Sequence, residues 1–160
     1  MDLKTVDELN SRREIIQSAI PAIRSKIDSG ELQEVDMPVT HRFAPSVYLR
    51  EIFMPKGAMV IGKIHSTEHF NIIVEGAGTV ITAEGKEDFV APYTFVSKAG
   101  VQKCVLVTED CKWQTVHVTD KTDIDEIEKE VIVESYNDLV VDGLLEEVLK
   151  NEGLLCHGEQ

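Results

Sequence analysis

The chain has 160 residues, of which 42% are hydrophobic and 28% are charged, a balance that excludes a chain disordered throughout. Lys and Arg number 16 against 29 Asp and Glu, and the resulting net charge of −13 excludes nonspecific nucleic-acid binding and disfavours an anionic membrane surface. No apolar run approaches the roughly 18 residues of a membrane span, and the N-terminus lacks a signal-peptide pattern. We therefore expect a soluble, cytoplasmic protein.

The N-terminal segment has helical periodicity. Thr5 and Glu8 fit a capping box, and Gly30 is a suitable stop signal, which predicts helical structure over residues 5–32. Pro21 interrupts this segment, so the pattern allows one kinked helix or two short ones. Four isoleucines recur on one face of the helix and are expected to be buried against the barrel or a second subunit: Ile16, Ile20, Ile23 and Ile27.

From about Val39 to Val118 the chain changes to short β-type runs separated by turn residues. The predicted runs are 47–53, 58–64, 70–74, 79–82, 88–90, 94–96, 103–107 and 113–118. The predicted turns are 75–78, 84–87, 91–93, 98–100 and 108–111. Many short strands without a helical pattern between them predict a mainly β fold, a small antiparallel barrel or sandwich with helices at both ends.

The C-terminal part is acidic and helical in pattern. Thirteen acidic and three basic residues fall between residues 120 and 160. Thr122 is a suitable N-cap, and residues 122–150, including the amphipathic segment Leu144–Leu149, are expected to be mainly helical. These changes of pattern divide the chain into a helical extension (1–35), a β-barrel (36–119) and acidic C-terminal helices (120–160).

Histidines are the most informative residues of the β region. Period-two alternation places His65 and His69 on one face with Lys63 and Asn71, and His117 closes the last strand. Neutral imidazoles suit Zn, Ni, Cu and Fe, so converging histidines indicate part of a metal site. The alternative is that they are hydrogen-bonded polar side chains with no ligand.

The stretch from Gly57 to Gly76 resembles the first motif of the cupin superfamily, and the stretch from residue 85 to 103 resembles the second. The resemblance implies a double-stranded β-helix and a homodimer or higher homo-oligomer. It also extends to stand-alone cupins of bacteriophage genomes, which would place the protein in the host cytoplasm. In a full site of the superfamily, three His and one Glu hold a divalent metal. The matching positions here are Lys63, His65, His69 and Lys103.

Two lysines at ligand positions leave three hypotheses open, because an ammonium has no free lone pair for a metal. The first is a binder of a small anionic metabolite or nucleotide, such as a phage protein that sequesters a host signal. Its expected ligand-binding residues are Lys63, His65, His69, Lys103 and His117.

The second hypothesis is a metal-dependent enzyme of isomerase, lyase or dioxygenase type, which holds Zn, Fe, Ni or Mn through His65, His69 and His117. It requires a hairpin turning at residues 108–111 that brings His117 opposite Lys103 or Cys104. The third is a structural or interaction protein that binds a partner through its acidic C-terminal helices. The sequence leaves catalysis undecided and makes no cofactor certain.

Overall fold

A computed structural model describes residues 3–133, with side chains at residue 8 and from residue 10 onwards. The predicted fold class is confirmed, because this part of the chain is mainly antiparallel β-structure with a helix on either side of the strands. The elements are α1 (Leu3–Asp28), β1 (Val39–Ala44), β2 (Val47–Met54), β3 (Met59–Ile61), β4 (Ile64–His65), β5 (His69–Thr82), β6 (Gly85–Val90), β7 (Tyr93–Ser97), β8 (Cys104–Val118), α2 (Ile124–Val131) and β9 (Ile132–Val133).

Two long antiparallel strands, β5 and β8, organise the barrel. They pair from Phe70 opposite Val116 to Ile81 opposite Cys104. Beside one half of this pair lie β1, β2 and β7, and beside the other half lie β3 and β6. The two halves share one core, in which the ring of Phe89 meets the ring of Trp113 edge-on at 5.5 Å.

A bend in β5 and β8 replaces two of the predicted turns. The turns expected at 75–78 and 108–111 are wrong, because both segments lie inside long strands. Gly76 has a φ of +97°, and a side chain there would collide with the backbone carbonyl oxygen of Asp110. Glycine is therefore needed where the paired strands bend and approach closely, a role that resembles a turn signal in sequence. The turns predicted near residues 84, 91 and 98 are confirmed.

The N-terminal helix α1 runs through Pro21 as one element, so the two-helix alternative is wrong. It begins before Thr5, which excludes the predicted capping box, and it ends before Gly30, as expected. Ile16 is buried, whereas Ile20 is exposed. Burial of the whole isoleucine stripe against the barrel is therefore wrong, and its burial against a second subunit stays a prediction.

The C-terminal helix α2 is short. Its N-cap is Asp123 rather than the predicted Thr122, and the Asp123 carboxylate accepts a hydrogen bond from the backbone N–H of Glu126 at 3.0 Å. Ile127 and Val131 are buried against the barrel. The chain then forms β9, which pairs with β4, so the helix predicted over 122–150 is wrong at residues 132–133.

The remaining C-terminal predictions, including the segment Leu144–Leu149, lie outside the described residues. The division of the chain at residues 35 and 119 stays a prediction.

Candidate metal centre in the barrel

Three histidines from three strands come together inside the barrel. His65 ends β4, His69 begins β5 and His117 lies near the end of β8. One nitrogen from each ring lies within 4.8 Å of the others, and the ring centroids are 4.4 to 5.3 Å apart. The prediction that His65 and His69 share the inner face is confirmed, and His117 joins them. We call these three residues the three-His cluster.

Each ring of the cluster has one buried nitrogen without a hydrogen-bond partner among residues 3–133. These atoms are Nδ1 of His65, Nε2 of His69 and Nδ1 of His117. His69 Nδ1 lies 3.1 Å from the carbonyl oxygen of Thr67, so that nitrogen carries the proton and donates it. The lone pair of His69 is therefore on Nε2, and fixing a ring in this way is typical of metal-ligating histidines.

The histidines of the cluster are neutral near pH 7. Burial, the largest cause, and the positive charges of neighbouring groups together lower the pKa of His65 to about 2. Burial and Lys103 lower the pKa of His69 to about 3, and burial, Lys103 and Arg50 lower the pKa of His117 to about 4. Neutral imidazoles have lone pairs for a metal but carry no positive charge for an anion.

The two lysines that the sequence assigned to this site lie in different places. Lys103 is buried, and burial lowers its pKa to about 8. Lys63 is exposed at the cavity rim, where its ammonium lies 3.0 Å from the carboxylate of Glu128. The structure thus brings Lys103 to the cluster and leaves Lys63 outside it.

Lys103 and His117 reach one cavity by a route that the sequence did not predict. A hairpin at 108–111 was expected to place them opposite each other, and this is wrong. Lys103 directly precedes β8, His117 lies near the other end of the same strand, and the bend at Gly76 and Asp110 brings both ends to the cavity.

The cavity beside the three-His cluster has a volume of about 290 Å³ and lies between the barrel and α2. Alternate residues of β2 and β8 form its walls, because every second side chain of a strand faces inward. Ile127 and Val131 of α2 cover it. The wall residues are Tyr48, Arg50, Ile52, Met54, Lys103, Val105, Trp113, Thr115 and His117.

Sequence reasoning missed Arg50 and Tyr48 as cavity residues. The signal was present in β2, where an arginine shares one face with the apolar residues Ile52 and Met54. Tyr48 is buried, stacks on His117 with ring centroids 5.9 Å apart, and its hydroxyl lies 2.7 Å from Nδ1 of His41. These contacts hold the His117 ring in position.

Trp113, which lies on the same β8 wall as His117, is held by buried polar contacts. Trp113 Nε1–H donates to the side-chain oxygen of Asn71 at 3.0 Å, and the Asn71 amide donates to Ser97 Oγ at 2.9 Å. Asn71 was expected on the inner face with the histidines, and it is there as a structural residue with both ends of its amide satisfied.

Comparison by sequence gives no relative: no protein-family model and no curated protein matches this chain. Among the described residues, neither helix combines the length and the apolar character needed to cross a bilayer.

Comparison by structure gives cupins. A cupin superfamily protein from Desulfitobacterium hafniense is 13% identical, with 56% of this chain and 83% of that chain covered and a TM-score of 0.47. An RmlC-like cupin with a double-stranded β-helix fold from Methanocaldococcus jannaschii is 14% identical, with 55% and 84% covered and a TM-score of 0.45. The Clostridium difficile EutQ protein is 11% identical, with 54% and 70% covered and a TM-score of 0.45.

These comparisons do not support a bacteriophage origin. Two of these structures are described as cupins, the superfamily that the sequence motifs resemble.

Proposed function

We propose that this protein binds a divalent transition metal through His65, His69 and His117 and takes a small molecule into the adjoining cavity. One observation carries the proposal: three buried imidazole nitrogens without hydrogen-bond partners belong to rings whose ligand atoms lie within 4.8 Å of one another. Buried polar atoms are nearly always paired in folded proteins, so three unpaired ones in one place indicate a missing ligand.

The three imidazole donors limit which metal ions the site can hold. Imidazole ligands suit Zn, Fe and Ni, whereas Mn prefers oxygen ligands and fits this site less well. Three protein ligands leave a coordination position open, as in catalytic zinc sites and unlike the closed four-ligand structural sites. A metal held in this way supplies Lewis acidity or activates water.

A second candidate, anion binding without a metal, is favoured by the buried ammonium of Lys103. The sequence-based form of this hypothesis placed Lys63 and Lys103 together with two or three histidines, but Lys63 pairs with Glu128 at the rim. Because the pKa values of the three rings are lowered to between about 2 and about 4, only Lys103 and the newly found Arg50 would supply charge. The third hypothesis, a partner surface in the acidic C-terminal part, depends on residues beyond the described range and stays a prediction. The homo-oligomeric state also stays a prediction.

The test is metal binding by the chelator-treated, untagged protein. We expect about one Zn²⁺ or Co²⁺ per chain by isothermal titration calorimetry, and we expect His69→Ala and His117→Ala to abolish binding because each removes one of three ligands. Lys86→Ala is the control, since Lys86 is exposed and lies outside the three-His cluster.

Unchanged affinity in His69→Ala, or a wild-type protein that takes up no metal, would overturn the proposal. Far-ultraviolet circular dichroism of each variant separates loss of the site from loss of the fold.

A further inference from the structure

Two cations of the cavity lack an anionic partner. Lys103 is only 9% exposed, and neither its ammonium nor the guanidinium of the half-buried Arg50 makes a hydrogen bond or an ion pair within the described part of the chain. An unpaired charge in a buried site is costly, and proteins normally satisfy it with a counter-charge. The pair therefore indicates a ligand that supplies negative charge.

The part of the chain that the structure describes supplies no such charge inside the cavity. Among the described residues that line it, the one carboxylate is that of Glu128, which lies at the rim and pairs with Lys63. The interior is thus cationic, although the whole chain has a net charge of −13. The positive charge of the interior comes from Arg50 and Lys103, whose side chains line the cavity.

Both cations act on the three-His cluster. The positive charge of Lys103 lowers the pKa values of His65, His69 and His117, and that of Arg50 lowers the pKa values of His65 and His117. A divalent cation in the cluster would be repelled by both, and three neutral imidazoles offer no negative charge to offset this repulsion. A bound anion would be attracted by the metal, by Arg50 and by Lys103 together.

We propose that Arg50 and Lys103 form a seat for a small carboxylate beside the three-His cluster, and that metal and carboxylate bind with positive coupling. This inference rests on the proposed function, because the coupling needs a metal. The planar guanidinium of Arg50 matches a carboxylate in a two-pronged contact, and Lys103 adds a point charge. A cavity of about 290 Å³ lies at the lower end of the size range of small-molecule sites, which favours a metabolite of few carbons over a nucleotide.

The experiment measures the affinity for Co²⁺ by its visible absorption, at constant ionic strength, in sodium perchlorate, acetate, succinate or sulfate. We expect the wild-type affinity to be at least about fivefold higher in acetate or succinate than in perchlorate, within the usual range of coupling between two sites. The sulfate measurement distinguishes a site for any oxyanion from a site that prefers carboxylates. If sulfate raised the affinity for Co²⁺ as much as succinate does, the carboxylate assignment would be overturned.

Arg50→Gln should remove most of the coupling and leave the affinity in perchlorate equal or higher, because it removes repulsion as well as the seat. Arg50→Lys keeps the positive charge but removes the planar guanidinium, and we expect this variant to lose the preference for carboxylate over sulfate. The matched control is Arg42→Gln, which makes the same change of charge at an exposed arginine that lies 3.7 Å from Glu51. It should behave as wild type.

Because coupling between two binding sites is reciprocal, a bound metal must raise the affinity for the anion by the same factor. The fluorescence of Trp113, the one tryptophan of the chain and a wall residue of the cavity, reports succinate binding with and without Zn²⁺. We expect tighter succinate binding with Zn²⁺ by the same factor.

Wild-type coupling retained in Arg50→Gln, or equal succinate affinity with and without Zn²⁺, would overturn the inference. Absence of Co²⁺ binding in every medium would instead overturn the proposed function.

Discussion

The charged residues at the rim of the cavity are paired, whereas those of its interior have no counter-charge among the described residues. At the rim, Lys63 is exposed and lies 3.0 Å from Glu128. In the interior, Lys103 is buried and has no partner among residues 3–133. The sequence assigned both lysines to the site, yet only Lys103 lies in the interior beside the three-His cluster.

This difference shows that the charges at the rim are balanced by the protein's own side chains, whereas the groups of the interior need a ligand to balance them. Helix α2 brings Glu128 to Lys63 across 65 positions of the sequence, and the pair needs nothing further. Among the described residues, the interior combines unpaired cations with unpaired imidazole nitrogens, a combination whose free-energy cost a bound ligand would reduce. Substitutions in the interior should therefore have large effects, and those at the rim small ones.

The largest effect is expected at Gly76, where β5 and β8 bend to enclose the interior. An alanine there would adopt a φ of +97° and collide with the Asp110 carbonyl, so Gly76→Ala should lower the free energy of unfolding by about 4 kcal/mol. Gly57→Ala is the control, because Gly57 has a φ of +87° but open space around it, and it should cost about 1 kcal/mol. Equal losses in urea unfolding would show that the bend does not depend on Gly76.

Lys103 should give the metal-free protein an unusual pH dependence. Burial lowers its pKa from 10.5 to about 8, so between these values the unfolded chain holds a proton that the folded chain does not. The free energy of unfolding should rise with pH over this range by about 3 kcal/mol more in wild type than in Lys103→Met. Urea unfolding from pH 7.5 to 10.5 measures this, and Lys63→Met should keep the wild-type rise. Identical pH profiles for wild type and Lys103→Met would contradict the burial of an unpaired ammonium.

The smallest effect is expected at the rim. Exposed ion pairs contribute about 0–1 kcal/mol, so the coupling energy of Lys63→Met with Glu128→Gln in a double-mutant cycle should lie in that range and decrease with salt. A coupling energy above about 2 kcal/mol would mean that this pair holds α2 over the cavity.

Much of the barrel could be predicted from local patterns. The alternation in β2 places Tyr48, Ile52 and Met54 on one face by period two, and the structure agrees. His65 and His69 also meet on the inner face, but through a bend at residues 66–68 between β4 and β5 rather than along one extended strand. The bend in β5 and β8 could not be predicted, because Gly76 is equally suited to a reversing turn and to a close approach of two strands. Only the pairing of β5 with β8 along their whole length distinguishes the two cases.

The site was predicted less completely, because its chemistry depends on contacts between distant segments. His117 was a candidate ligand for the right reason, a missing third donor, but through a hairpin that does not exist. Lys63 was assigned to the interior because nothing near it in sequence indicates Glu128. Arg50 was missed because an arginine in an alternating strand usually faces solvent, and its inward position follows from the pairing of β2 with β8.

The most direct test of the central claim is the X-ray absorption fine structure of the zinc-loaded protein. The account predicts a first shell with three imidazole nitrogens at about 2.0–2.1 Å, no sulfur ligand, and at least one further oxygen ligand. The oxygen contribution should change when succinate is added. A shell that contains sulfur or fewer than three imidazoles would contradict the assignment of His65, His69 and His117 as one metal site.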